Sequence, residues 1–243
     1  MLPRPTPPHQ PATNWLTLPR CTDSNTPVCS ASRTSYLTGR LPSQHGVHDW
    51  LRAGNSTCEP DRDGALIKYL EGQTGYTEIL ADAGYLCGLS GKWHLGDSHH
   101  AQKGFDFWEV HAKGGGSYYG APMIRAGEVH EEPRYVTDVI TDNGLRFLDE
   151  VRATSDPFYL SIHYTAPHSP WGRAQHPAEI YGDYFDNCLF ESFPQDSAHP
   201  WGEGNMPWVG DDPEKRRGVL AGYCAAITAM DAGIGRLLDW LEK

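Results

Sequence analysis

The sequence lacks several patterns that would assign the chain to a simple functional class. Its six cysteines (Cys21, Cys29, Cys58, Cys87, Cys188 and Cys224) lie far apart with no CxxC pair, which excludes a zinc ribbon and a dense disulfide framework. No run approaches the roughly 20 apolar residues of a membrane span, so we predict none. There is no basic block, and the net charge is −11, so we predict no nucleic-acid-binding surface.

The composition that remains is that of a folded chain rich in loops. Apolar residues make up 39% and aromatic residues 11% of the 243 residues, which is too much for a disordered protein and enough for one large domain. Residues 1–20 contain six prolines and no apolar stretch suited to a signal peptide. We predict an irregular leader over 1–20, a folded domain over 21–243 and a loop-rich excursion over 171–215. The cellular compartment is left open.

Hydrophobic periodicity predicts helices that alternate with strands. Short helices are expected over 32–38 and 77–83, and an amphipathic helix over 136–151. Strands are expected over 85–90 and 158–164, and a final helix carries apolar residues at three- and four-residue spacing from Leu220 to Leu241. Because helix and strand alternate twice, the chain is predicted to be an α/β protein with a largely parallel sheet between helices.

The strongest motif runs from Cys29 to Arg40 and reads CSASRTSYLTGR. It resembles the signature of the type I sulfatases, C-x-(P or A)-S-R-x-x-x-L-T-G-R. In that family the cysteine is oxidised to formylglycine, an aldehyde whose hydrate supplies two hydroxyl groups on one carbon. The resemblance implies that Cys29, as formylglycine, is the nucleophile and a metal ligand, and that Arg33 is a catalytic cation. A helix N-terminus next to an arginine is also a suitable place for a sulfate anion.

A second motif, GKWHLG over 91–96, resembles the family's second signature, and Gly104-Phe105-Asp106 follows it as in the family. Lys92 and His94 are two residues apart, which places them on one face of an extended segment. The resemblance implies that both are catalytic, with Lys92 on the sulfate oxygens and His94 on the formylglycine hydroxyl.

A third motif, Ala166-Pro167-His168-Ser169-Pro170, follows the strand FYLSIHY and resembles an A-P-H-x-P segment of the family. The resemblance implies that His168 binds the substrate sulfate, and a position beyond the carboxyl end of a strand suits that role. We expect His163, within the strand, to be structural. The glycine triplet Gly114–Gly116 is expected to be a flexible loop.

The resemblance as a whole predicts an alkaline-phosphatase-like α/β fold that hydrolyses a sulfate monoester, such as one on a carbohydrate, after modification by a formylglycine-generating enzyme. It also implies a calcium ion. The family's first strand with its Asp-Asp pair and its later C-terminal strands are not recognised, so we expect an incomplete fold truncated at both ends. With residue 29 as the remaining metal ligand, calcium is expected to bind weakly or not at all.

Two alternatives stay open at this point. The chain could be a catalytically inactive sulfatase fragment that keeps the sulfate-binding cations but lacks the metal site. It could also be a phosphate or phosphonate monoester hydrolase, because such enzymes share the formylglycine and a fold does not determine the ester.

Overall fold

The computed structural model describes residues 24, 26–51, 66–193 and 212–243. Its helices are α1 (Cys29–Thr38), α2 (Pro42–His45), α3 (Tyr76–Asp82), α4 (Val136–Arg152), α5 (Ala178–Asn187) and α6 (Pro213–Leu241), with a short 3-10 helix at Arg173–Gln175. Its strands are β1 (Leu86–Lys92), β2 (Phe107–His111), β3 (Ala121–Arg125), β4 (Glu128–Glu132) and β5 (Phe158–His163). The predicted leader over 1–20 lies outside the described residues.

The strands form one sheet in the order β4-β3-β2-β1-β5. The strand β1 pairs in parallel with β2 on one side and with β5 on the other. The antiparallel pairs β2-β3 and β3-β4 extend the sheet. Because β1, β2 and β5 run in the same direction, their carboxyl ends, at Lys92, His111 and His163, meet at one edge of the sheet.

Helices cover the sheet on both faces, which confirms the predicted α/β sandwich. On one face, Leu37 of α1 and Leu80 of α3 pack with Leu89 and Val110 of the sheet. On the other face, Phe147 and its neighbours in α4 pack against β1, β2 and β5. The apolar stripe of α4 explains this contact, because residues three and four apart in sequence face the sheet together.

The strand β1 is buried at nearly every position, and its glycines allow this close packing. Gly91 has a φ of +109°, and a Cβ atom there would lie 2.1 Å from the main-chain oxygen of His163 on β5. No side chain fits at that separation, so the approach of β1 to β5 at the sheet edge requires glycine.

The helix α6 packs against α4 and α5 along its small residues, such as Ala225, Ala226 and Ala229, which are buried. With 29 residues, it is also long and apolar enough to cross a membrane by length and composition alone. The core helices of soluble proteins share that property, so this is weak evidence for a span.

The structure extends and revises several predicted elements. The helix α1 begins at Cys29, three residues before its predicted start, and the preceding residue Val28 has extended backbone. The helix ends before Gly39, which has a left-handed backbone with a φ of 67°. The strands β2, β3 and β4 had no prediction. The segment 171–215 was expected to be rich in loops, but its described part contains α5, which packs through Tyr181 against α6.

Candidate active site

Cys29 is the first residue of α1 and is half-buried. The main-chain N–H groups of a first helical turn have no partners within the helix, so this end favours an anion. Arg33 lies one turn later, on the same face of α1 as Cys29. Burial lowers the pKa of both Arg33 and Lys92, and the neighbouring Cys29 opposes this shift in each, which indicates that both cations lie beside Cys29.

Lys92 ends β1, where its register partner on β2 is His111. Only 4% of the residue is exposed. Burial, followed by the positive charge of Arg33, lowers the pKa of Lys92 from 10.5 to about 8. Two cations held together at one sheet edge repel each other, and this repulsion is relieved when an anion binds between them.

His94 follows β1 by two residues, is only 5% exposed and has a φ of +60°. Its Nε2 lies 3.0 Å from the main-chain oxygen of Leu51. Because a carbonyl oxygen can only accept, Nε2 carries the proton and donates it, and Nδ1 keeps its lone pair. Burial, with Lys92 as the next cause, lowers the pKa of His94 to about 4, so the ring is neutral near pH 7.

The Nδ1 atom of His94 is buried and has no hydrogen-bond partner among the described residues. A buried polar atom without a partner is costly, so such an atom in a folded protein calls for an explanation. An acceptor held ready for a ligand hydroxyl would provide one.

His168 follows β5 and is exposed. Its main-chain oxygen accepts a hydrogen bond from the Tyr118 hydroxyl at 2.7 Å, and its Nδ1 lies 2.8 Å from the main-chain oxygen of Ser169. The charge of His168 is one of the causes that lower the pKa of His94, which indicates that the two rings lie near each other. The structure therefore brings Cys29, Arg33, Lys92 and His94 together and places His168 at their exposed side.

The glycine triplet Gly114–Gly116 lies in the loop after β2, and Gly114 and Gly115 pack on the site histidines. A Cβ atom on Gly114 would lie 2.2 Å from Nε2 of His94, and one on Gly115 would lie 3.3 Å from Nδ1 of His168. Only a residue without a side chain fits at Gly114. The sequence alone gave no signal for this contact, which is created by tertiary packing.

Two further histidines at the sheet edge were not among the predicted site residues. His111 ends β2, is buried, and has an Nε2 atom without a partner among the described side chains and main chain. His163 ends β5, and its Nδ1 lies 3.0 Å from Nη1 of Arg33. For His163, its place at the carboxyl end of a predicted strand was the available signal, whereas the strand that His111 ends was not predicted.

A pocket of about 600 Å³ opens next to His168. Its walls include Gly116 of the glycine triplet, Pro170, Trp171 and Tyr181, with Lys215 of α6 also on the lining. The lining is mainly apolar and aromatic, which is typical of sites for small organic ligands.

The residues that the structure describes do not build a calcium site. Among them, no group of three or more His, Cys, Asp or Glu side chains lies close enough to hold a metal ion. Calcium takes six to eight oxygen ligands, so Cys29 alone, as formylglycine, does not make a shell. The described part of the site thus consists of cations and histidines.

Comparison with known proteins identifies the family. The Sulfatase family model matches residues 2–243, which is nearly the whole chain. The chain belongs to the sulfatase family. The sulfatase signatures around Cys29 and Lys92 therefore lie in a sulfatase fold, at the site described above.

The chain is also similar in sequence to curated sulfatases over part of their length. The chain is 25% identical to an N-acetylglucosamine-6-O-sulfatase of Bacteroides thetaiotaomicron, covering 87% of this chain and 46% of that protein. It is 28% identical to the human N-acetylglucosamine-6-sulfatase, covering 65% of this chain and 30% of that protein. The chain thus spans less than half the length of these relatives.

Solved structures agree with the fold. Ps i-CgsB, in complex with k-i-k-neocarrahexaose, has a TM-score of 0.62 at 23% identity over 89% of this chain and 45% of its own. A protein in complex with its substrate D-glucosamine-2-N,6-O-disulfate has a TM-score of 0.57 at 21% identity over 89% of this chain and 53% of its own. At these identities the likeness shows the alkaline-phosphatase-like fold.

Proposed function

We propose that the protein is a sulfuric ester hydrolase that cleaves a sulfate monoester at residue 29. The observation that carries this proposal is the cluster of Arg33 and Lys92 around Cys29 at the N-terminus of α1, in a chain of the sulfatase family. A sulfate ester is a compact anion, and a buried lysine and a half-buried arginine together with free N–H groups match its charge.

Cys29, converted to formylglycine by a formylglycine-generating enzyme, would supply both a nucleophilic hydroxyl and a second hydroxyl for release of the sulfate. In this role Arg33 and Lys92 hold the sulfate oxygens and stabilise the charge that grows on them during the reaction. The N-terminal position on α1 adds the positive end of the helix dipole.

The two histidines differ in what they can do with a proton. His94 is neutral, and its unpartnered Nδ1 is an acceptor, so it suits a hydrogen bond from the nucleophilic hydroxyl. A ring with a pKa of about 4 is a poor proton donor near pH 7. We therefore assign the protonation of the leaving alcohol to His168, on the exposed side of the site.

The leaving alcohol would lie in the pocket next to His168. Trp171 and Tyr181 contribute aromatic side chains to the wall of this pocket, which suits an organic group of this kind. The curated relatives named above act on sulfated N-acetylglucosamine by their names, so a sulfated carbohydrate is the substrate class that we propose.

Calcium has no step in this proposal, because the described residues do not form its site. The relatives are sulfatases, which favours a sulfate ester over a phosphate or phosphonate ester. The remaining alternative is a protein that binds sulfate without turnover.

The test is hydrolysis of a chromogenic aryl sulfate by the full chain, co-expressed with a formylglycine-generating enzyme and supplied with calcium. We expect turnover that falls to background in Cys29→Ala and is kept in Cys188→Ala, a half-buried cysteine on another element. Mass spectrometry of the peptide around residue 29 reports the conversion. A converted protein without turnover would contradict the catalytic proposal and favour the non-catalytic alternative.

A further inference from the structure

Arg33 is anchored by two acceptors at the sheet edge. Its Nη1 donates to the main-chain oxygen of Lys92 at 2.8 Å and lies 3.0 Å from Nδ1 of His163. The first acceptor belongs to the backbone of β1, and the second is a side chain of β5. The guanidinium of α1 is therefore tied to two neighbouring strands at once.

The protonation of His163 follows from these contacts. Its Nδ1 also lies 3.1 Å from the main-chain oxygen of Lys92, so Nδ1 could either donate to that oxygen or accept from Arg33. A guanidinium only donates, and the Lys92 oxygen already accepts from Arg33. A proton on Nδ1 would point an N–H group at this charged donor, whereas an unprotonated Nδ1 lets the two N–H groups of Nη1 donate one to each acceptor. This favours a proton on Nε2, and the 3.1 Å contact with the Lys92 oxygen is then not a hydrogen bond.

The backbone fixes His163 in this position. It is the last residue of β5, in register with Gly91 of β1, where the absence of a Cβ atom lets the two strands approach closely. The pairing of β5 with β1 thus fixes the position of the His163 imidazole, and the imidazole in turn fixes the position of the Arg33 guanidinium.

We propose that His163 is a positioning residue, whose neutral imidazole accepts a hydrogen bond from Arg33 and holds the guanidinium in the orientation that binds sulfate. The inference rests on the proposed function, because it concerns the same sulfate site. It assigns to His163 an action through Arg33, without contact with the reacting atoms.

The electrostatic surroundings agree with this role. Burial, then the charge of Arg33, lowers the pKa of His163 to about 3. Arg33 on α1 and Lys92 on β1 both present positive charge to this sheet edge, and a third cation there would be unfavourable. The ring therefore remains neutral near pH 7, as an accepting Nδ1 requires.

The experiment measures the affinity of the full chain for inorganic sulfate by calorimetry. His163→Leu removes the acceptor, and we expect sulfate affinity to fall about 10-fold or more, as for loss of a hydrogen bond to a charged group. His163→Asn places an amide oxygen near the position of Nδ1 and should restore the affinity to within about 3-fold. His130→Leu, on the outer strand β4, is the matched control and should bind like the unchanged protein.

Arg33→Ala separates the two possible failures. If its sulfate affinity equals that of the unchanged protein, there is no sulfate site at Arg33 and the proposed function is contradicted. If Arg33→Ala binds weakly while His163→Leu binds normally, the positioning role alone is overturned.

A spectroscopic readout on the unchanged protein does not depend on the folding of a variant. In ¹⁵N-labelled histidine spectra at pH 7, we expect the His163 ring to be neutral, with its proton on Nε2. A proton on Nδ1, or a charged ring, would overturn the proposal even if every variant failed to fold.

Discussion

The two sides of the candidate site are built in different ways. On the sulfate side, Arg33 and His94 are held by hydrogen bonds to main-chain oxygens, and Lys92 and His94 are almost fully buried. On the side proposed for the leaving alcohol, His168 is exposed and lies at the edge of a pocket with aromatic walls. A sulfate group has one fixed shape and charge, so a rigid set of donors suits it, whereas an open pocket can accept different alcohols.

The largest effect is expected on the rigid side. Lys92→Ala removes a buried cation from the place where charge develops, so kcat/KM for an aryl sulfate should fall by about 10²- to 10³-fold. Lys103→Ala is the control, since this lysine is also well shielded but pairs with Glu78 away from the site. Equal losses in both variants would show general destabilisation and not a sulfate contact.

The next effect tests the packing that links the two sides. In Gly114→Ala, the new Cβ atom would meet the His94 ring and force it away from Leu51, so activity should fall by about 10²-fold. Gly182→Ala, on α5, is the control because nothing lies within 4 Å of its added Cβ atom. A fully active Gly114→Ala would show that the glycine triplet does not position His94.

A smaller effect is expected from pH. The pKa of Lys92 is lowered to about 8, so its ammonium is charged below that pH and becomes neutral as the pH rises through it. Inorganic sulfate keeps its charge over this range, so its affinity should fall by up to about 10-fold between pH 7 and pH 9. In Lys92→Ala the sulfate affinity should no longer depend on pH over this range. A pH-independent affinity in the unchanged protein would refute the role of Lys92 in binding sulfate.

The smallest effect is expected on the open side. Trp171→Ala removes an aromatic side chain from the pocket wall, so KM for a sulfated carbohydrate should rise by about 3- to 10-fold. The affinity for inorganic sulfate should stay the same, because the pocket would hold only the alcohol. Trp240→Ala on α6, whose indole binds Asp149, is the control. A loss of sulfate affinity in Trp171→Ala would show that the two sides are not separate.

The sequence predicted those helices and strands that are determined by residues close together in the chain. The amphipathic stripe of α4 is visible in a few neighbouring residues, and the helix predicted from it was confirmed. The strands β3 and β4 were missed because they are five residues long and carry charges such as Glu128 and Arg125. They depend on pairing partners for their stability, which a single sequence does not show.

In the candidate site, too, local motifs were predicted from the sequence and long-range contacts were not. The motifs around Cys29, Lys92 and His168 were recognised in the sequence, and the structure brings their side chains to one region. The contacts of His163 with Arg33 and of Gly114 with His94 join residues that are far apart in the chain. No local pattern carries such contacts, because they arise from the register of β5 and from the path of the loop after β2.

The left-handed backbone at His94 also limits which residues could replace it during evolution. A φ of +60° is accessible at modest cost to histidine, asparagine and aspartate, and is unfavourable for bulky or β-branched side chains. Of these three, histidine alone offers a ring that can donate on one side and accept on the other. Conformation and chemistry thus select the same amino acid independently, so this position should resist substitution even where the substrate changes.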